Sequence, residues 1–160
     1  MALHFSKDEF QKRRLNVLKS MKEQKLDALL MFRQESMFWL TGYDTFGYVF
    51  FQTLVLDQKG NTILLTRAPD LRQAQNTSNI EDIRIWVDKD KSNPTDDLKK
   101  ILIELNLKGK KIGVEYEAYG MTGRNALRLN KSLENYCEVE DQSELITKHR
   151  VIKSKEEVVY

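Results

Sequence analysis

Apolar positions along the chain follow two rhythms, one helical and one of strand length, and the rhythms alternate. Ser6 followed by Glu9 has capping-box spacing, and Phe10, Leu15, Leu18 and Met21 then recur at roughly helical intervals. This predicts an amphipathic first helix whose charged face, Lys12, Arg13, Lys19 and Lys22, is solvated. Ala28 to Phe32 is an apolar run of strand length. Asp57 to Asn61 reads as a polar turn and Thr62 to Thr66 as the next strand, so Leu56 and Ile63 belong to antiparallel partners in a hairpin. Asp70 to Gln75 predicts a helix with Pro69 near its start. Ile80 to Val87 alternates, with Ile83, Ile85 and Val87 on one face and Arg84 and Trp86 on the other. Asn93-Pro94 opens a helix reaching Leu105, with Leu98, Ile101, Leu102 and Leu105 as its buried face. A strand from Lys111 to Tyr116, a helix from Thr122 to Leu133, a strand from Tyr136 to Val139 and a helix from Ser143 to His149 follow. Ser154 and Glu157 form a second capping box.

The densest aromatic stretch runs from Ser36 to Leu56. Its second half, Val49 to Leu56, is almost continuously apolar and suits a central strand covered on both faces. Its first half reads as one or two helical turns closed by Gly42 in a left-handed conformation. Between them, Tyr43 to Gly47 is a loop whose aromatics are either a binding rim or the edge of the core. Alternating strands and helices with one hairpin predict an α/β fold, a three-layer domain with a mixed β-sheet flanked by helices. The last helix has barely begun at Tyr160, so Val158, Val159 and Tyr160 have nothing left to face and the chain reads as truncated.

Composition narrows the classes. The 160 residues suffice for one domain, and the single cysteine, Cys137, read as a small buried hydrophobe, excludes an internal disulfide. Lysine plus arginine (26) nearly balances aspartate plus glutamate (24), with the signs interleaved, which points away from nucleic acid or an anionic membrane as partner. No apolar run approaches a bilayer span and the N-terminus is charged at once, so the expected location is cytoplasmic.

Candidate chemistry is sparse. His4 and His149 lie at no metal-ligand spacing and are read as structural or surface residues; Gly109, Gly113, Gly120 and Gly123 are scattered and make no phosphate loop. Glu115 and Glu117 bracket Tyr116 at a strand end, where two like-facing carboxylates either bind a cation or act as an acid/base pair, or form a solvated edge or a lysine salt bridge. The residues alone describe a domain without a self-contained active site.

Three pieces together resemble the amino-terminal domain of the creatinase/prolidase family, the pita-bread metallopeptidases that include Xaa-Pro dipeptidases and aminopeptidase P. They are Trp39-Leu40-Thr41-Gly42-Tyr43, Lys111-Ile112-Gly113-Val114-Glu115 and the run Arg150-Val151-Ile152-Lys153-Ser154-Lys155-Glu156-Glu157, similar to the family's junction into its catalytic domain. Two positions depart from the pattern: Ser36 stands where many relatives have asparagine, and Lys155 where a proline often opens the linker helix.

The resemblance implies that residues 1–150 are the N-terminal domain and that residues 151–160 start a linker helix to a missing C-terminal catalytic domain. It implies that two divalent metal ions (Mn, Co or Zn) are held by ligands beyond Tyr160, so that this chain has no cofactor of its own and is catalytically silent alone. The implied function is a non-catalytic domain of a dimetal hydrolase, a Xaa-Pro dipeptidase/aminopeptidase or creatinase-like amidohydrolase, serving dimer assembly and substrate gating. The alternative is a stand-alone protein-binding module of a pseudo-peptidase. A homodimer is the expected assembly, and a small peptide or small nitrogenous molecule the expected substrate of the full-length protein. Tyr43, Asp44 and Phe46, with Arg67 at the following strand end, are the candidates to reach a substrate in trans: aromatic surface for an apolar substituent, a guanidinium for a carboxylate.

Overall fold

In the computed structural model, which describes residues 3–160, the elements follow in the order α1 (Lys7–Glu23), β1 (Ala28–Met31), α2 (Gln34–Thr41), β2 (Thr53–Asp57), β3 (Thr62–Arg67), α3 (Leu71–Thr77), β4 (Asp82–Trp86), α4 (Pro94–Glu104), β5 (Lys111–Val114), α5 (Gly123–Leu133), β6 (Glu138–Asp141), α6 (Leu145–Val151) and α7 (Lys155–Val159). The strands form one mixed sheet in the order β4-β3-β2-β1-β5-β6. Only β2 is antiparallel to its neighbours; β3 with β4, β1 with β5 and β5 with β6 pair in parallel. The carboxyl ends of five strands and the entrance to β2 therefore lie along one edge of the sheet.

Strand side chains alternate between two cores. Leu30, Val55, Ile63, Leu65 and Val114 face one layer with Leu98, Leu102 and Leu129 from α4 and α5. Leu29, Met31, Leu54, Leu56 and Leu64 face the other with Val17, Met21, Met37, Leu40 and Ile146 from α1, α2 and α6. This is the three-layer arrangement that the alternation of elements predicts, and its central strands are buried on both faces.

The structure corrects several boundaries. β2 begins at Thr53; Val49 and Phe50 precede it and are 47% and 42% exposed. The physical reason is a turn at Gly47, closed by the Phe50 amide donating to the Gly47 carbonyl at 2.9 Å, together with a partner strand that reaches only to Met31 opposite Leu54. In edge strand β4 it is Trp86 that is buried, its indole donating to the Phe51 carbonyl at 3.0 Å, while Ile85 and Val87 are exposed. β6 sits two residues later than its apolar pattern suggests, at Glu138–Asp141.

The first helix differs in detail. Ser6 accepts from the Glu9 amide, but the Glu9 carboxylate turns to Arg13 instead of closing the box. Arg13, assigned above to the solvated face, is buried, and Leu15 is exposed. Arg13 Nε meets Glu9 Oε1 at 3.0 Å and Nη1 donates to the Trp39 carbonyl at 2.7 Å, so the charge is compensated where it lies. Cys137 is half-buried against the α4/α5 core, and burial pushes its thiol up to about 11.

Candidate functional site

The loop from α2 into β2 crosses the carboxyl edge of the sheet and is held at both ends. Gly42 ends α2 at φ +81°, and a Cβ there would lie 2.9 Å from the Thr77 carbonyl oxygen. Tyr43 is fully buried: its hydroxyl donates to Gln52 Oε1 at 2.5 Å and lies 3.2 Å from Thr66 Oγ1, and burial raises its pKa. Gln52 Nε2 in turn donates to the Gly47 carbonyl at 2.6 Å. A Cβ on Gly47 would come within 2.5 Å of Gln52 Nε2 and 2.6 Å of Asp70 Oδ1, so a side chain there displaces one or both of these groups. Asp70 also pairs with Arg67 at 2.9 Å, and the Arg67 guanidinium lies 3.4 Å from the Phe50 ring centroid.

The four residues singled out for a substrate therefore separate. Tyr43 is interior, and Arg67 is engaged by Asp70 and Phe50. Asp44 and Phe46 face outward, Phe46 at 88% exposure. Phe46 is the most exposed of the large apolar side chains on this turn, ahead of Tyr48, Val49 and Phe50.

Beside this loop the ends of β1 and β5 diverge, because the chain leaves β1 toward β2 and leaves β5 toward β6. Glu115 sits at this switch point with no solvent exposure. Its Oε2 accepts from the Phe32 and Arg33 amides at 3.1 and 3.0 Å, and its Oε1 from the Ser36 hydroxyl at 2.6 Å. It thereby satisfies donors at the entrance to α2, whose own N-cap, Arg33, makes no side-chain cap. Burial pushes Glu115 up to about 7, opposed by the Ser36 and backbone hydrogen bonds and by the Arg33 charge.

Glu115 and Glu117 are not a like-facing pair. Glu117 is exposed and meets the Arg33 guanidinium at 3.1 Å, while Glu115 is interior and has no lysine partner. Arg33 also donates to Thr147 at 2.6 Å, which ties the loop after β5 to α6. The sequence reading did not single out Arg33; the one available signal was Gly-Val-Glu at the end of a strand buried on both faces.

A third cluster joins the two ends of the chain. The Ser154–Glu157 capping box is complete, and Glu157 Oε1 also accepts from the Trp39 indole at 2.8 Å and lies 3.4 Å from Arg13 Nη2. Ser6 donates through its amide and hydroxyl to Glu156, and Tyr160 packs on His4 and Phe5, so Tyr160 does have a surface to face. His149 stacks on Trp39 and bonds Ser20 at 3.0 Å; burial lowers its pKa.

Residues 13–152 match the family model described as the Creatinase/Prolidase N-terminal domain. The chain belongs to this family. Within it, an uncharacterized hydrolase/peptidase, y4tM, of Sinorhizobium fredii is 31% identical over 165 residues, an alignment covering 99% of this chain and 42% of the relative. The creatinase/prolidase domain seen here thus spans less than half the length of that curated relative. A dipeptidase from Pyrococcus horikoshii OT3 superposes with TM-score 0.73 at 23% identity, covering 92% of this chain and 38% of that one. A proline dipeptidase from Streptococcus pneumoniae TIGR4 gives 0.70 at 21% identity, covering 93% and 100%. Both share the creatinase/prolidase N-terminal fold. No helix among the described residues is long and apolar enough to cross a membrane.

Proposed function

We propose that this chain is the non-catalytic domain of a metal-dependent hydrolase, a Xaa-Pro dipeptidase/aminopeptidase or a creatinase-like amidohydrolase, and that it serves dimer assembly and substrate gating. Family membership supports the class of enzyme, and the exposed Phe46 on its tethered turn supports gating. In this reading residues 1–150 form the gating domain and 151–160 lead toward the catalytic one. Phe46 and Asp44 face the partner's substrate, a small peptide or nitrogenous molecule, while Tyr43 and Arg67 hold the turn that presents them. Preorganisation of that kind lets an aromatic side chain bind without the cost of ordering a loop.

The residues present do not fit a dimetal centre. Among the described residues, no group of three or more His, Cys, Asp or Glu side chains converges, and His149 is engaged by Ser20 and Trp39. The metals belong, in this proposal, to a separate catalytic domain.

Two measurements test the reading. The purified chain supplied with manganese or cobalt should show no turnover of a Xaa-Pro dipeptide; turnover would place chemistry in this domain. In the enzyme carrying its catalytic domain, Phe46→Ala should lower kcat/KM by about tenfold or more with metal content unchanged. An unaltered kcat/KM would remove Phe46 from the substrate path.

A further inference from the structure

A groove of about 420 Å³ runs between α2 and the segment from Arg150 to Tyr160, within the size range of small-molecule pockets. Its two walls carry unlike charges. Glu35 and Asp44 stand on the α2 side; Arg150, Lys153 and Glu157 stand on the other, where the Glu157 carboxylate is taken up by Trp39, Arg13 and the Ser154 amide. Among the described residues none of Glu35, Asp44, Arg150 and Lys153 joins an ion pair, either across the groove or elsewhere, so the walls stand more than 4.0 Å apart at their charged ends. The Lys153 ammonium donates to the Arg150 carbonyl.

Between the walls the lining is aromatic. Phe38, Phe5 and Tyr160 contribute, and His4 bridges Phe38 and Tyr160 with ring centroids 5.6 and 5.4 Å away. One polar atom is left over. Gln34 lines the groove, its Nε2 donates to the Tyr43 carbonyl at 2.9 Å, and its Oε1 is buried with no hydrogen-bond partner. A buried acceptor without a donor costs about 1–3 kcal/mol.

We infer that this groove binds a zwitterionic amino acid or dipeptide with an apolar side chain. The carboxylate lies against Arg150 and Lys153, where a guanidinium can engage both oxygens. The ammonium lies toward Glu35 and Asp44. The apolar side chain covers Phe38 and Tyr160. A neutral or singly charged ligand leaves one wall unmatched, and discrimination against it follows from that loss. The site is built entirely from this chain and does not depend on the gating role proposed for Phe46.

The test uses the two indole N–H resonances of the chain, from Trp39 and Trp86. Trp39 lines the groove and donates to Glu157, whereas Trp86 lies in the opposite core layer. Titration with glycyl-phenylalanine should shift the Trp39 resonance saturably, with Kd between about 10 μM and 1 mM, and leave Trp86 in place. N-acetyl-phenylalanine and phenylalaninamide, each lacking one charge, should bind at least about tenfold more weakly. The double variant Arg150→Gln/Lys153→Gln should lose affinity to the same degree, its unmoved Trp86 resonance reporting an intact fold. Absence of a saturable shift up to about 10 mM would overturn the proposal. So would equal affinity for the three ligands, unaltered binding by the double variant, or movement of both indoles together.

Discussion

The Ser36 hydroxyl lies 2.6 Å from Glu115 Oε1 in a site where neither side chain reaches solvent. A hydroxyl can either donate or accept, so Ser36 serves the carboxylate and the carboxylic acid alike. With burial holding Glu115 at about 7 against an ordinary value near 4.5, the folded chain retains a proton that the unfolded chain has released. The native state binds more protons across that window, so this group's contribution to stability falls as pH rises from 4.5 to 7. Glu115→Gln, whose amide can donate to Ser36 and accept from the two backbone amides, should flatten the profile by about 3 kcal/mol across it. Urea midpoints at a series of pH values check this; an unchanged slope would show that Glu115 titrates near its ordinary value in the fold.

Gly47→Ala should destabilise the chain by more than about 1 kcal/mol, because the added methyl meets both Gln52 and the Asp70 carboxylate. Tyr43→Phe should cost about 1–2 kcal/mol through the lost hydroxyl. Hydrogen exchange of the Phe50 amide, which closes the turn, should quicken in both variants. Retained protection would mean that the turn holds without its tethers.

Arg13 and Glu157 should couple. Removing one partner of a buried charge pair leaves the other uncompensated, so Arg13→Gln should cost about 3 kcal/mol. Glu157→Gln should cost less, since Glu9 still answers Arg13. A double-mutant cycle read by denaturant unfolding should return an interaction of about 0.5–2 kcal/mol. A value of zero would mean that α7 is held by its aromatic contacts instead.

Leu64→Ala should cost about 2–5 kcal/mol, as Leu64 is fully buried in the α1/α2 layer. Leu127→Ala on exposed α5 surface should fall within about 0.5 kcal/mol. Equal effects at the two positions would contradict the assignment of layers.

The layers, the hairpin and most helices were legible because period and turn chemistry express burial directly: Ile112 and Val114 in β5, and Leu98, Ile101 and Leu102 in α4, could hardly face outward. What escaped depended on contacts between segments distant in sequence. Val49 and Phe50 read as strand, yet Gly47 packs on Asp70 and bends the chain before any partner is available. Arg13 read as surface because, beyond Glu9 one turn away, the partners that enclose it are Trp39 and Glu157, far along the chain. At the candidate site, Phe46 and Asp44 were found at the surface and Tyr43 was not, for an aromatic beside a glycine carries no mark of the face it will take. Glu115 was noticed as an acid, but its burial follows from amides in Phe32 and Arg33 that sequence pattern does not display.

The clasp between Ser6 and Glu156 also sets a schedule. The two residues are 150 positions apart, so the amide and hydroxyl of Ser6 cannot find their acceptor until nearly all of this sequence has left the ribosome. Until then the amino end of α1 carries Arg13 with Glu9 but without Glu157. The sheet, whose neighbouring strands are closer in sequence, can form first, and long-range closure comes last. Fastening of the first helix therefore waits until every strand and helix between Ser6 and Glu156 has been synthesised.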